Sequence, residues 1–319
     1  MSSPSSSPLP TAPALSPRQL KQVAWLTVGA IALYVFLRWL PTGTNLQHAD
    51  FRASGGVGSS LEFCDPSNPQ FLPVVTVRSP VETRLVPARP PRMGETVLFT
   101  LTLKTATGKP IGPADLLESH TRKLHVMAVD PTLTDYQHLH PRPGVNPGEW
   151  VFELTPRQAG LYRVFCDFTP RATARGLYAS ADFEVPAADV AGALTLPAEA
   201  PLNWRADHGD FTFRLEPTAG AVKAGAPADL ALTVQRHDGG AVVLGEVMGA
   251  FAHLVAFDRD RTGFAHLHPN EANLLQPPDA ARPRLTFQVT IPDEGRYVVW
   301  AQVNLDGSDV YVPFWLDVG

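Results

Sequence analysis

Between residues 81 and 185, apolar residues recur in short runs at the period of two that sets one face of a β-strand against a core. Turn formers separate the runs. The pattern predicts strands at Val81–Val86, Glu95–Leu103, Lys123–Val129, Tyr136–His140, Trp150–Thr155, Leu161–Phe168 and Leu177–Val185. Seven short strands in about 105 residues is the count of an immunoglobulin-like sandwich. The layout then repeats from Phe211 to Val318.

The repeat is one of residues as well as of pattern. His125-Val126-Met127 through His138-Leu139-His140-Pro141 returns as His253-Leu254-Val255 through His266-Leu267-His268-Pro269, with the first histidine 13 residues before the second in both. Gly160-Leu161-Tyr162 is echoed by Gly295-Arg296-Tyr297, and each copy closes on a Tyr-bearing strand, at Tyr178 and Tyr311. Self-similarity of this length means two copies of one folded unit. The expected fold is all-β: two tandem immunoglobulin-like β-sandwiches, at 81–186 and 210–319, joined by a linker at 187–209. Asp293-Glu294-Gly295-Arg296-Tyr297 also resembles the run that opens strand F in such domains, where the Tyr hydroxyl bonds back to the corner just turned. The first copy keeps Gly160 and Tyr162 but has Arg157-Gln158-Ala159 ahead of them, a weaker match.

One segment breaks the alternation. From Gln22 to Leu37 there is no charge and almost every residue is apolar. As a helix this run spans about 24 Å, extended to roughly 28 Å if Arg38 snorkels and lets Trp39 and Leu40 join it. Trp25 and Trp39 suit the two interfacial belts. No small-x-small cleavage site follows, so residues 18–40 read as a transmembrane anchor rather than a cleaved signal peptide. Arg18 and Lys21 precede it and only Arg38 follows closely, a bias that puts the N-terminus in the cytoplasm and the sandwiches in the periplasm of a bacterial inner membrane. Residues 1–17 form a Ser/Pro-rich tail expected to be disordered, and 41–80 a connector with little periodicity.

Composition narrows the function. The chain has 319 residues, 44% of them hydrophobic, and a net charge of −5 with no basic patch, which argues against nucleic acid as a partner. There is no His-Glu-x-x-His, no Gly-x-Ser-x-Gly and no phosphate-binding glycine loop, so no catalytic residue is expected and the protein reads as a non-enzyme. Asp130 and Asp258 hold matched turn positions, which Asx-turn chemistry explains. The two cysteines, Cys64 and Cys166, could pair across a long loop, or Cys166 could be a buried thiol on an inward strand face.

The histidines carry the candidate chemistry. If Lys123–Val129 and Tyr136–His140 form a hairpin, one register sets His125 opposite His140 and Met127 opposite His138. His125, His138 and His140 then share a face, with Leu124, Val126, Ala128 and Leu139 on the core side. His253, His266 and His268 share a face in the second copy. Three imidazoles on one face suit zinc or copper, and His-x-His aims two at one point. The other reading is that they bond carbonyls and loop carboxylates and simply fix the hairpin. A blue-copper site built from Cys166, Met127 and histidine lacks the usual Cys-to-His spacing.

The pattern His-x-x-x-x-Asp, His-Leu-His-Pro, Gly-x-Tyr and a strand of aromatic-Cys/Ala-Asp/Gln type resembles a little-characterised bacterial family of extracytoplasmic immunoglobulin-like or cupredoxin-like domains. The resemblance covers His125–Phe168 and His253–Val303. It implies an extracytoplasmic sandwich, and the family's loose heavy-metal-associated label implies a metal at the histidines. The layout as a whole points first to a membrane-anchored, non-catalytic scaffold or accessory subunit. Its expected partners are the bilayer and the other subunits of a larger respiratory or photosynthetic complex, with no cofactor required. The alternative is a periplasmic copper- or divalent-metal-binding protein that uses the six repeated histidines.

Overall fold

The computed structural model describes residues 16–39, 44–51, 70–77, 79–187 and 201–319. Residues up to 43 and residues from Thr44 to Gly319 form separate units. In the first, helix α1 runs Pro17–Trp39. It starts where the sequence permits a helix to start. Ser16 accepts from the Gln19 amide at 3.4 Å, and the Gln19 side chain accepts from the Ser16 amide at 2.9 Å. Pro17 sits at the first helical position, where its missing N–H costs nothing. The stretch Pro17–Leu37 is long and apolar enough to cross a membrane, a property that a signal sequence shares. Its side chains are exposed all round, Trp25 at 76% and Leu26 at 74%. Residues 1–15 of the Ser/Pro tail, Leu40, Cys64 and the side chains of Arg38 and Trp39 lie outside the description.

The regular structure of the second unit is almost entirely strand. The first sandwich contains β1 Val81–Pro87, β2 Val97–Thr105, β3 Leu116–Leu117, β4 Leu124–Val129, β5 Tyr136–Leu139, β6 Arg142–Pro143, β7 Glu149–Leu154, β8 Gly160–Pro170 and β9 Leu177–Val185. The second contains β10 Arg205–His208, β11 Phe211–Pro217, β12 Pro227–Arg236, β13 Leu244–Gly245, β14 Ala252–Asp258, β15 Phe264–Leu267, β16 Arg284–Thr290, β17 Gly295–Leu305 and β18 Ser308–Val318. Each sandwich pairs a four-stranded sheet (β1-β2-β7-β6, β10-β11-β12-β16) with a five-stranded one built around its longest hairpin (β8 with β9, β17 with β18). All seven strands expected in the first copy are present within a few residues. The predicted hairpin register holds: Met127 pairs with His138 and Val126 with Leu139, as Val255 pairs with His266 and Leu254 with Leu267.

Alternation along these strands builds three apolar layers. Val126, Val164, Cys166 and Phe168 face the core of the first sandwich, and Leu254, Val299, Ala301 and Phe314 face that of the second. The intervening residues point the other way and meet across the two sandwiches. Met127, Val129, Tyr136, Phe165 and Tyr178 of the first pack with Val255, Phe257, Phe264, Val298 and Trp300 of the second. Tyr136 contacts Trp300 and Tyr311 at 5.7 and 5.9 Å between ring centroids, and Phe264 contacts Phe165 and Tyr178 at 5.2 and 5.6 Å. The five-stranded sheets are thus buried on both faces, which is why β4 has no exposed position. Cys166 is a free thiol in the first core, pushed up to about 12 by burial, and faces away from the histidines.

The corner tyrosines differ as the sequence suggested. Tyr297 Oη donates to the Asp293 carbonyl at 3.1 Å. Tyr162 instead donates to the Asp135 carboxylate at 2.5 Å and accepts from the Gln158 amide at 3.0 Å. Asp130 and Asp258 are turn residues. Asp130 accepts from the amides of Thr132, Thr134 and Asp135, each at 2.8 Å, and Asp258 from that of Thr262 at 2.7 Å.

Two boundaries shift. The second sandwich begins with β10 at Arg205, inside the expected 187–209 linker, because Ala206 and Asp207 pair with Phe213 and Thr212. The 41–80 connector is also partly built in. Leu46 and Phe51 pack in the first core, and the Lys109 ammonium meets the Asp50 carboxylate at 2.8 Å. Further on, Leu72 bridges to the edge of β15: its amide donates to the Phe264 carbonyl at 2.8 Å, and the Phe264 amide donates back at 3.1 Å. This strap covers an edge that would otherwise present unpaired backbone groups, and it adds Phe71 to the second core and Leu72 and Val74 to the shared layer. The approach is close enough to require glycine at 263, where a Cβ would stand 1.8 Å from the Leu72 carbonyl oxygen. Gly263→Ala is expected to push the strap off and to destabilise the protein by about 1–3 kcal/mol, the usual cost of forcing extra volume into a packed site. A lowered urea midpoint checks this, and an unchanged midpoint counts against the strap's contribution.

Candidate metal centre

At one end of the shared layer the apolar residues give way to histidine. His125 lies two residues before Met127 on β4, and Asp167 pairs with it from β8. His253 and Gln302 hold the matched positions on β14 and β17. In each sandwich the chain then leaves the sheet and returns. Leu117 pairs with Thr169 and Leu124 with Phe168, so residues 118–123 evert between two neighbouring rungs of one edge. Residues 246–251 do the same between Gly245, paired with Asn304, and Ala252, paired with Val303. Each eversion is a tight turn closed by a bridge, Ser119 to Arg122 and Val247 to Ala250. His120 is at the tip of the first.

Seven of the ten histidines gather here: His120, His125, His138, His140, His253, His266 and His268. His125, His138 and His140 can each offer a ring nitrogen within 4.8 Å of the others, as can His120, His253 and His268. The first set is the trio that the hairpin register puts on one face. In the second, His120 from the first sandwich supplies the third nitrogen, and its ring stacks on His268 at 3.6 Å between centroids. His266 stands beside that set, 5.4 Å from His253 and 4.7 Å from His268 by ring centroids. Sequence reasoning missed His120, whose counterpart is not a histidine, and read Asp167 and Gln302 only as the Asp/Gln position of a strand pattern, with no role at the site. The sign available was a polar residue opposite His125 and another opposite His253, in the stretches Val164–Phe168 and Val298–Val303 that are otherwise apolar on both faces.

Polar contacts cross between the sandwiches in both directions. His138 Nδ1 lies 3.0 Å from Gln302 Oε1, and His266 Nδ1 lies 3.2 Å from Asp167 Oδ2. The acceptors fix the tautomers. Gln302 donates its NH2 to Asp309 at 3.0 Å, so its oxygen faces His138, whose Nδ1 carries the hydrogen. His125 Nε2 lies 3.0 Å from the Ser119 carbonyl, which can only accept. Both nitrogens left over, His125 Nδ1 and His138 Nε2, therefore present lone pairs to each other across 3.2 Å. Neutral imidazoles avoid that arrangement and a cation stabilises it. The spacing is close to the edge, about 3.3 Å, of a tetrahedron with metal–nitrogen bonds of about 2.0–2.1 Å. Five more ring nitrogens are buried without a hydrogen-bond partner: His140 Nε2, both nitrogens of His253, His266 Nε2 and His268 Nε2. Buried polar atoms are rarely left so. Carboxylate and amide partners on the far nitrogen are also the usual means of orienting metal-ligating histidines.

Two immunoglobulin-like sandwiches closed on a shared histidine cluster define the class of this molecule. The chain belongs to the family described as a domain of unknown function (DUF8832), whose model matches residues 78–187 and 206–319, one copy for each sandwich. That description carries no heavy-metal label, so the metal association implied by the resemblance rests on the histidines alone. No curated protein matches the chain. Among solved structures it is similar to Salmonella alpha-2-macroglobulin, with 12% identity, a TM-score of 0.25, and coverage of 75% of this chain and 16% of that one. It is similar also to the Escherichia coli adhesin FdeC, with 14% identity, a TM-score of 0.23, and coverage of 74% and 64%. The chain spans less than two thirds of the length of either. At such scores the strand registers, rather than the likenesses, define the fold.

Burial is the first cause that holds every ring in the cluster below the ordinary histidine value, and for all of them but His120 the neighbouring rings add to it. His140 comes down to about 4. Asp167 moves the other way, raised by burial against the opposing pull of His125 and His120. The unfolded chain takes up protons at these rings near pH 6.5 while the folded cluster does not. Without added metal, stability is therefore complete above about pH 6.5 and falls as the pH drops toward about 4. Urea midpoints measured between those limits are expected to decline steadily, and a flat profile would contradict neutral burial of the cluster.

Proposed function

We propose that the protein is a membrane-tethered metal-binding protein whose centre is the histidine cluster between its two sandwiches, with copper or zinc as the ion. Tandem immunoglobulin-like domains behind an apolar helix fit a membrane-anchored, non-catalytic protein. The observation that carries the reading is the pair of opposed lone pairs on His125 and His138, fixed by Ser119 and Gln302. Imidazole sets of this kind suit copper and zinc. The two sets of three nitrogens give room for two ions. A docking scaffold, the role suggested first by the anchor and the tandem sandwiches, assigns no task to buried, unpartnered imidazoles. The charge bias of Arg18 and Lys21 favours the sandwiches lying outside the cytoplasm, where they would meet metal in transit.

Full-length protein purified in detergent without a histidine tag and equilibrated with Cu or Zn is expected to hold stoichiometric metal by elemental analysis. His138→Ala/His140→Ala should lose the ion of the first set. A wild-type chain that takes up neither ion overturns the proposal. Gln302→Leu removes the acceptor that orients His138 and is expected to weaken binding by about 10–100-fold, the usual effect of losing such a partner. A titration against a competing chelator measures that change.

A further inference from the structure

The two eversions occupy the same place in their sandwiches but carry different side chains. Leu116 pairs with Pro170 and Leu244 with Leu305, each at the start of the excursion. Four residues on from these stand His120 and Met248. Both have left-handed backbone, φ 49° and 48°, and so do the residues that follow, Thr121 at 65° and Gly249 at 77°. The tips meet: a Cβ on Gly249 would lie 3.6 Å from Thr121 Cγ2. The polar contacts already described exchange the halves in the same sense, since His138 reaches Gln302 and His266 reaches the matched Asp167. His120 crosses in that way to join His253 and His268. By the same matching of positions, the reciprocal crossing would carry Met248 toward His125 and His140, the counterparts of His253 and His268. There the buried Nε2 of His140 has no partner. Met248 is also half-buried, although it sits at the tip of a turn.

We infer that Met248 supplies a thioether to the His125, His138 and His140 set and makes that half of the centre selective for Cu(I). This rests on the reading that the cluster binds metal. A thioether is a soft ligand, which favours Cu(I) over zinc. The other half, completed by the imidazole of His120, has no such bias. One fold thus holds two sites of different softness. Met127 is the competing sulfur, because it faces the shared layer directly opposite His138. Its side chain packs among Val129, Tyr136 and Phe165 in the apolar part of that layer.

The test compares wild type, Met248→Leu and Met127→Leu, all full-length in detergent. Each is loaded with Cu(I) under reductant and separately with Zn(II). Copper X-ray absorption is expected to show a sulfur neighbour in wild type and Met127→Leu, and none in Met248→Leu. Cu(I) affinity, measured against a chromophoric chelator, should fall by about tenfold or more in Met248→Leu, the scale of a disturbed ligand shell, while Zn(II) uptake is unchanged. Persistence of the sulfur signal in Met248→Leu, or its loss in Met127→Leu alone, overturns the assignment while leaving the metal centre standing. Failure of wild type to take up either ion overturns both.

Discussion

Two β-sheets that each bury both faces must find a second partner, and here the partner is the other copy. An antiparallel sandwich ordinarily leaves its outer faces to water and shows polar residues there. β4, β8, β14 and β17 instead carry Met127, Phe165, Val255 and Trp300 outward, and those residues are covered only because the sandwiches close on one another. The closure sets the distances on which everything polar at its end depends. Histidines that would be solvated on a lone sandwich become buried groups with few acceptors. Their neutrality, their tautomers and their exchange of partners all follow from that burial.

The balance of forces at the cluster is a matter of satisfaction rather than attraction. Leaving one buried donor or acceptor unpaired costs about 1–3 kcal/mol, and several ring nitrogens are in that condition. An all-apolar layer would have avoided the cost, so the histidines weaken the closure unless something binds them. A coordinated ion satisfies several lone pairs at once. In the second set it would also tie the turn that carries His120 to β14 and to the residue that follows β15.

Much of this was readable in the sequence, and the unread part has a common cause. Period-two alternation located the strands, and the one hairpin register that would gather His125, His138 and His140 on a face is the register the structure has. A repeat reveals positions where two copies agree. His120 against Met248 and Asp167 against Gln302 are positions where they disagree, so the comparison that exposed six histidines passed over the first pair and gave the second no role at the site. The shared layer was hidden differently. Leu124-His125-Val126-Met127-Ala128-Val129 has no polar face except its histidine, the sign of a strand covered on both sides, but nothing local says what covers it. The strap at Phe71–Val74 was missed because bridges to a distant strand edge leave no periodicity. The first corner tyrosine was a weak match because its partner, Asp135, comes from another loop.

The reciprocal crossing has a consequence for how such a centre can arise. A lone module could close only on an identical twin, and a symmetric homodimer must place the same residue on both sides of its axis. Every change would then be made twice, and two unlike halves could not form. Fusing the modules into one polypeptide removes that restriction. Asp167 can stand in one half where Gln302 stands in the other, and His120 where the other has Met248, because covalent linkage lets each half mutate alone.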